Sequence, residues 1–250
     1  MKSGNAYSTT ESFALLLVGE PKTGKSAVTA AFPGLRYLDA DRNLTRVARE
    51  LAKEKTDWSY ENPHTDKEGK PIAEDKKWLR CGEIVKEFIL DQLCKTIVID
   101  GGSVVADMAL NHSIAKRESM QPPKTPGKAE YEDYRFVIQA ITGFHMLMRS
   151  SGKMVIWTFH QKVDKDEATG RFRYELRMPG QLAGSFGGQF SDVWATMCER
   201  AGMEHKYEIH TKPTGFHISL GTSLDLPSKI DVTNKSPKQI WELVGKRIAP

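Results

Sequence analysis

The feature that most constrains this chain is the spacing Gly19-x-x-x-x-Gly24-Lys25-Ser26, set directly after the apolar run 13–18 and before a segment of helical pattern. An unbroken apolar run of that length reads as a strand buried on both faces, as in a parallel sheet. The glycines permit a tight turn in which successive N–H groups point at one anion, and the helix over 24–31 turns its positive end to the same place. In that geometry Glu20, Pro21, Lys22 and Thr23 wall a phosphate cradle between Gly19 and Gly24. Lys25 reaches the β- and γ-phosphates of a nucleotide, and the Ser26 hydroxyl is placed to ligate Mg2+. At average residue frequencies the four fixed positions coincide by chance in about one chain of this length in a hundred. Here strand and helix also flank them on the correct sides.

With 250 residues, 39% of them hydrophobic and 27% charged, the chain suits one α/β domain with insertions. A net charge of +4 suits a polyanionic partner without requiring one. Cys81, Cys94 and Cys198 are far apart and in no metal-ligand spacing, which reads as buried reduced thiols. The stretch 1–12 is polar where a secretory leader needs an apolar centre, and no apolar run approaches a membrane span. The expectation is a protein that stays in the cytoplasm, away from membranes.

Pro33-Gly34 ends the first helix and a second strand follows at 35–38. It closes on Asp39-Ala40-Asp41, so carboxylates emerge at the strand edge where open α/β sheets bind ligands. Either Asp41 orients the water that attacks a γ-phosphate, or Asp39 or Asp41 merely caps the helix that starts near Asn43. After a helix over 44–53, the polar, turn-rich stretch 58–77 reads as a surface insertion or hairpin whose His64 is solvated. Helical spacing covers 79–93, and the apolar strand 96–100 ends in Asp100. Downstream of a phosphate loop, a carboxylate in that position holds Mg2+ directly or through water.

A helix over 103–116 leads into the Pro- and Gly-broken stretch 115–133, whose Lys124 and Lys128 suit either a nucleic-acid backbone or plain solvent. Residues 131–149 form a covering helix, its Met and aromatic stripe being core. The strand 154–159 ends at His160-Gln161, where His160 either senses the γ-phosphate or bonds only locally. Next comes a hairpin over 162–180 with Lys162, Arg171, Phe172, Arg173 and Tyr174 on its arms, suited to single-stranded nucleic acid or to an ordinary sheet edge. The glycine-dense stretch 180–192 reads as mobile. Antiparallel strands at 192–199, 204–211 and 215–221 follow, then a helix capped at Ser236-Pro237.

This order of phosphate loop, strand ending in Asp39-Ala40-Asp41, strand ending in Asp100, strand ending in His160, basic hairpin and glycine-rich segment resembles the RecA-type ATPase core. It is most similar to the small phage-encoded proteins of that type, some of them proposed single-strand annealing recombinases. The resemblance implies an α/β fold over 12–235 with a mostly parallel sheet flanked by helices and extended by C-terminal antiparallel strands. It leaves a tail at 1–11, an insertion near 56–78, mobile loops near 115–131 and 161–190, and a final helix at 236–250. It implies ATP and Mg2+ as cofactors, Asp41 as the catalytic carboxylate, His160 as the γ-phosphate sensor, and the two mobile loops as DNA-binding segments. Asp41 has a shorter arm than the Glu of RecA. Lys212 stands where the family offers a basic residue to a neighbouring subunit's nucleotide. The implied function is an oligomeric ring or filament that binds single-stranded DNA, with phage single-strand-binding or replication proteins as further partners. A slowly hydrolysing switch or scaffold for replication or packaging is the alternative, and a small-molecule kinase a third reading.

Overall fold

The computed structural model describes residues 13–120, 125–165, 170, 172–179, 182–201, 204–214 and 219–248. In chain order the strands are β1 (Ala14–Gly19), β2 (Leu35–Asp39), β3 (Trp58–Glu61), β4 (Thr96–Asp100), β5 (Met154–Lys165), β6 (Phe172–Leu176), β7 (Asp192–Ala201), β8 (Glu204–His210) and β9 (Lys229–Asp231). The helices are α1 (Lys25–Thr29), α2 (Thr45–Glu54), α3 (Lys77–Leu90), α4 (Gly102–Met120), α5 (Tyr131–Arg149), the single turn α6 (Leu182–Ser185) and α7 (Pro237–Ile248).

The main sheet runs β3-β2-β4-β5-β1-β7-β8-β9, with β6 paired to the outer half of β5. From β3 to β7 every pairing is parallel, and β8 and β9 add on antiparallel. The class is mixed α/β, with a mostly parallel sheet under helices and antiparallel strands at its C-terminal edge. Side chains alternate across a strand, so an unbroken apolar run feeds two cores at once. In β1, Ala14, Leu16 and Val18 pack beneath α3, α4 and α5, whereas Leu15 and Leu17 pack with α1, α2 and α7. Val155, Trp157 and Phe159 of β5 join the first core, and Met154 and Ile156 the second. At α7, Ser236 and Gln239 exchange backbone-to-side-chain bonds (Gln239 N to Ser236 Oγ, 3.3 Å; Ser236 N to Gln239 Oε1, 2.8 Å). That reciprocal cap starts the helix and sets Ile240 and Val244 against the second core.

Several expectations change. The stretch 58–77 is not wholly a surface insertion: β3 extends the parallel sheet beside β2, with Trp58 edge-on to Tyr37. Its His64 is half-buried, Nε2 lying 2.8 Å from the Ala40 carbonyl, which ties the stretch to the end of β2. The glycine-dense stretch, in its described part, folds into α6 and a 3-10 turn that drive Leu182, Phe186 and Phe190 into the first core. Burial of those apolar rings overrides the conformational freedom of the glycines. Finally, β7 pairs parallel with β1, so of the described strands from residue 192 on, β8 and β9 alone add on antiparallel, and β9 lies at 229–231. Residues 215–218 of the strand expected at 215–221 lie outside the described residues, and Gly221 makes an isolated bridge to Val193. Helix α3 stops at Leu90 because the Asp91 carboxylate takes the Leu93 N–H at 2.8 Å, leaving Leu93 66% exposed.

Candidate functional site

Parallel pairing brings the C-terminal ends of β1, β2, β4 and β5 to one edge. The register sets Gly19 beside His160, and Asp39 beside Asp100. The phosphate loop springs from the same edge. Gly24, at φ 98°, has a conformation that a side chain strains against, and it hands over directly to α1. Thr23 Oγ1 fastens the loop, lying 2.7 Å from Thr196 Oγ1 of β7 and donating to the Glu20 carbonyl at 2.8 Å. Lys25 Nζ donates to the Gly19 and Glu20 carbonyls at 2.9 and 2.8 Å, so its ammonium lies across the mouth of the loop. Burial pushes Lys25 down to about 8, against the opposing pull of Asp100, Asp41 and Glu20.

The carboxylates divide their work. Asp39 is buried and its Oδ1 accepts from Asn43 N at 3.2 Å, holding the turn into α2. Burial pushes its carboxyl up to about 6, helped by the nearby Asp100 and opposed by the Asn43 bond. Asp41 points the other way. Its Oδ2 lies 3.3 Å from His160 Nε2, and it packs so close to Gly101 that a Cβ there would sit 2.4 Å from Asp41 Oδ1. Neither aspartate caps helix α2, whose N-cap is Leu44 with no side-chain bond; Asp39 instead holds the turn that leads into it, and Asp41 lines the cavity. Asp100 is buried, and that burial raises its carboxyl while hydroxyls from Thr158 and Ser26 counteract the rise. Ser26 Oγ lies 3.3 Å from Asp100 Oδ2, and Thr158 Oγ1 donates to Asp100 Oδ1 at 2.7 Å.

A cavity of about 440 Å³ joins these groups, lined by Lys22, Lys25, Ser26, Asp41, Asp100 and His160 among others. Its size suits a nucleotide. Cis ligands of an octahedral Mg2+ at about 2.1 Å stand about 3 Å apart, close to the Ser26–Asp100 separation. Among the described residues no three of His, Cys, Asp or Glu gather into a metal cage, so any cation held by Ser26 and Asp100 takes its other ligands from water or phosphate oxygens. The residues fit that ion.

All the catalytic, loop and metal candidates thus lie at one edge. The nucleic-acid candidates do not share their standing. Lys162 pairs across the hairpin with Glu175 at 3.6 Å, and the exposed Lys128 precedes α5. Lys124 and Arg171 lie outside the described residues, as does the side chain of Arg173. Lys212 is exposed just after β8. Sequence reasoning missed Asn43, Arg46 and Tyr207 as cavity walls, and Thr158 and Gly101 behind the carboxylates. Thr158 left one signal, a hydroxyl inside an apolar strand, which requires a buried partner.

The sequence model of a family described as AAA domain matches residues 12–214. No curated protein matches the chain significantly. Among solved structures it is similar to a KaiC-like protein from the hyperthermophilic archaeon Pyrococcus horikoshii OT3, at 15% identity over 79% of this chain and 77% of that one, with a TM-score of 0.41. It is also similar to the flagellar accessory protein FlaH from Methanocaldococcus jannaschii, at 11% identity over 88% of this chain and 84% of that one, with a TM-score of 0.43.

Proposed function

This chain belongs to the AAA domain family, and on that premise we propose that it is an oligomeric, Mg-ATP-dependent ATPase that binds single-stranded DNA and assists recombination or strand annealing, as a phage-encoded protein of the RecA type. The observation that carries the ATPase half is the meeting of Lys25, Ser26, Asp41, Asp100 and His160 around one cavity at the sheet edge. Lys25 donates to β- and γ-phosphate oxygens in place of the loop carbonyls it holds in this structure. Ser26 and Asp100 would hold Mg2+, which would supply neutralisation of the charge on the phosphate oxygens. Asp41 orients a water for in-line attack on the γ-phosphorus. The new P–O bond forms as the bond to the bridging oxygen breaks, leaving ADP and inorganic phosphate. His160, 3.3 Å from Asp41, gains or loses that contact with the nucleotide's state.

The DNA half rests on the continuity of β5. His160 and Lys162 are two residues apart on one strand, and Arg177 N, just past β6, donates to the His160 carbonyl at 2.9 Å. A change at His160 is thus delivered to both arms of the hairpin that carries Arg171 and Arg173. The second reading, a slow nucleotide-dependent switch or scaffold, is favoured by one observation: the short Asp41 side chain is already engaged by His160. Steady-state ATP turnover with and without single-stranded DNA separates the two. DNA stimulation is expected; slow turnover indifferent to DNA supports the switch, and no turnover with no nucleotide binding overturns both.

A further inference from the structure

Asp100 is held from both sides, and the second grip comes from a residue that the phosphate loop does not supply. Thr158 is 1% exposed on β5, the strand next to β4. Its hydroxyl donates to Asp100 Oδ1 at 2.7 Å and accepts from Gly101 N at 3.0 Å. The hydroxyl proton is therefore committed to Asp100, because the Gly101 N–H can only donate. One carboxylate oxygen is thus occupied by β5, and the other, Oδ2, is left facing Ser26 at 3.3 Å. Without that bond, rotation about the Asp100 side chain can exchange the two oxygens, and only one arrangement presents a lone pair to Ser26.

We propose that Thr158 is the positioning residue of the cation site: it locks the rotation of the Asp100 carboxylate so that Oδ2 alone is offered, with Ser26, to Mg2+. The inference rests on the nucleotide-site reading above and adds a residue to it. Thr158 also shares a strand face with His160, two residues on. The same strand that sets the carboxylate therefore carries the histidine beside Asp41. Gly101 completes the circuit, since its N–H feeds Thr158 while its Cα packs on Asp41. Groups behind a metal ligand that fix its orientation commonly change cation affinity by about 10- to 100-fold when removed.

The test compares wild type, Thr158→Val and Thr158→Ser by electron paramagnetic resonance of Mn2+ binding in the presence of ADP, with turnover against Mg2+ concentration as a second readout. Val keeps the shape and removes the hydroxyl, and Ser restores it. The expected result is about 10-fold or greater weakening of Mn2+ binding in Thr158→Val, recovery in Thr158→Ser, and metal-free ADP binding unchanged in both. Equal Mn2+ affinity in Val and wild type overturns the inference while leaving the nucleotide site intact. Wild type that binds neither ADP nor Mn2+ with ADP fails at the earlier reading instead. If Thr158→Val does not fold, Thr158→Cys, a weak donor of similar size, replaces it under the same criteria.

Discussion

Asp39 and Asp41 are two positions apart, yet backbone geometry gives them different tasks. Asp39 takes the Asn43 N–H and is sealed in, whereas Asp41 leans over Gly101 toward His160. Asp41→Asn keeps the size of the side chain and removes its charge, so ATP binding persists and turnover is abolished. Equilibrium binding and steady-state hydrolysis measured side by side check this, and unchanged hydrolysis refutes the role. Gly101→Ala acts on the same carboxylate from below. At φ 89° the new methyl is strained, and it meets Asp41 Oδ1, so turnover falls while contacts made by the phosphate loop stay. Asp39 yields a pH dependence. Its carboxyl titrates near 6 in the fold against an ordinary 3.8, so the fold favours the neutral form. That contribution is complete below about pH 4 and is lost as pH rises through about 6. Asp39→Asn keeps an acceptor for Asn43 N without ionising, so it gains stability over wild type, on the order of 1–3 kcal/mol, between pH 4 and 7. Denaturation midpoints of both proteins at those two pH values read the difference, and parallel pH profiles contradict it.

Elements carry consequences that single residues do not. The turn after α6 plugs the first core with Phe186, whose ring centroid lies 5.5 Å from Trp157, 5.7 Å from Phe159 and 5.0 Å from Phe190. His145 of α5 joins that cluster, and burial pushes its imidazole down to about 4. Phe186→Ala leaves a cavity beneath the sheet and costs about 3–5 kcal/mol, read as a lower denaturant midpoint. A cost below about 1 kcal/mol shows the stretch to be a detachable loop after all. The β5–β6 hairpin is the element to which the proposed DNA contact is assigned. Within it Lys162 pairs with Glu175, so the proposed DNA contact is assigned to Arg171 and Arg173. Replacing both arginines with Ala is expected to weaken single-stranded DNA binding and flatten its salt dependence. If affinity and salt slope are both unchanged, the hairpin is not a DNA site.

At the scale of the molecule, the parallel sheet collects residues 19, 41, 100 and 160 along one edge. The proposed assembly into rings or filaments predicts that turnover and particle size rise together when ATP and single-stranded DNA are both supplied. Light scattering alongside hydrolysis checks the coupling, and a monomer whose turnover DNA does not change speaks for the switch. The sequence alone determined the phosphate loop, the strand that closes on Asp39-Ala40-Asp41, the strand ending in Asp100, and the covering helices. Each of those follows from local spacing: glycines where a turn must tighten, apolar runs where a strand is buried on both sides, and apolar periodicity where a helix lies on a sheet. Tertiary structure alone decided which of Asp39 and Asp41 holds the turn into α2, that β7 runs parallel to β1, and that Phe186 anchors a glycine-dense stretch. It also decided that Thr158 grips Asp100. The Thr158 grip and the seating of β7 depend on partners 58 residues away for Asp100 and Thr158 and 178 for Val18 and Thr196, and packing between such distant groups leaves no periodic mark in the chain that forms it.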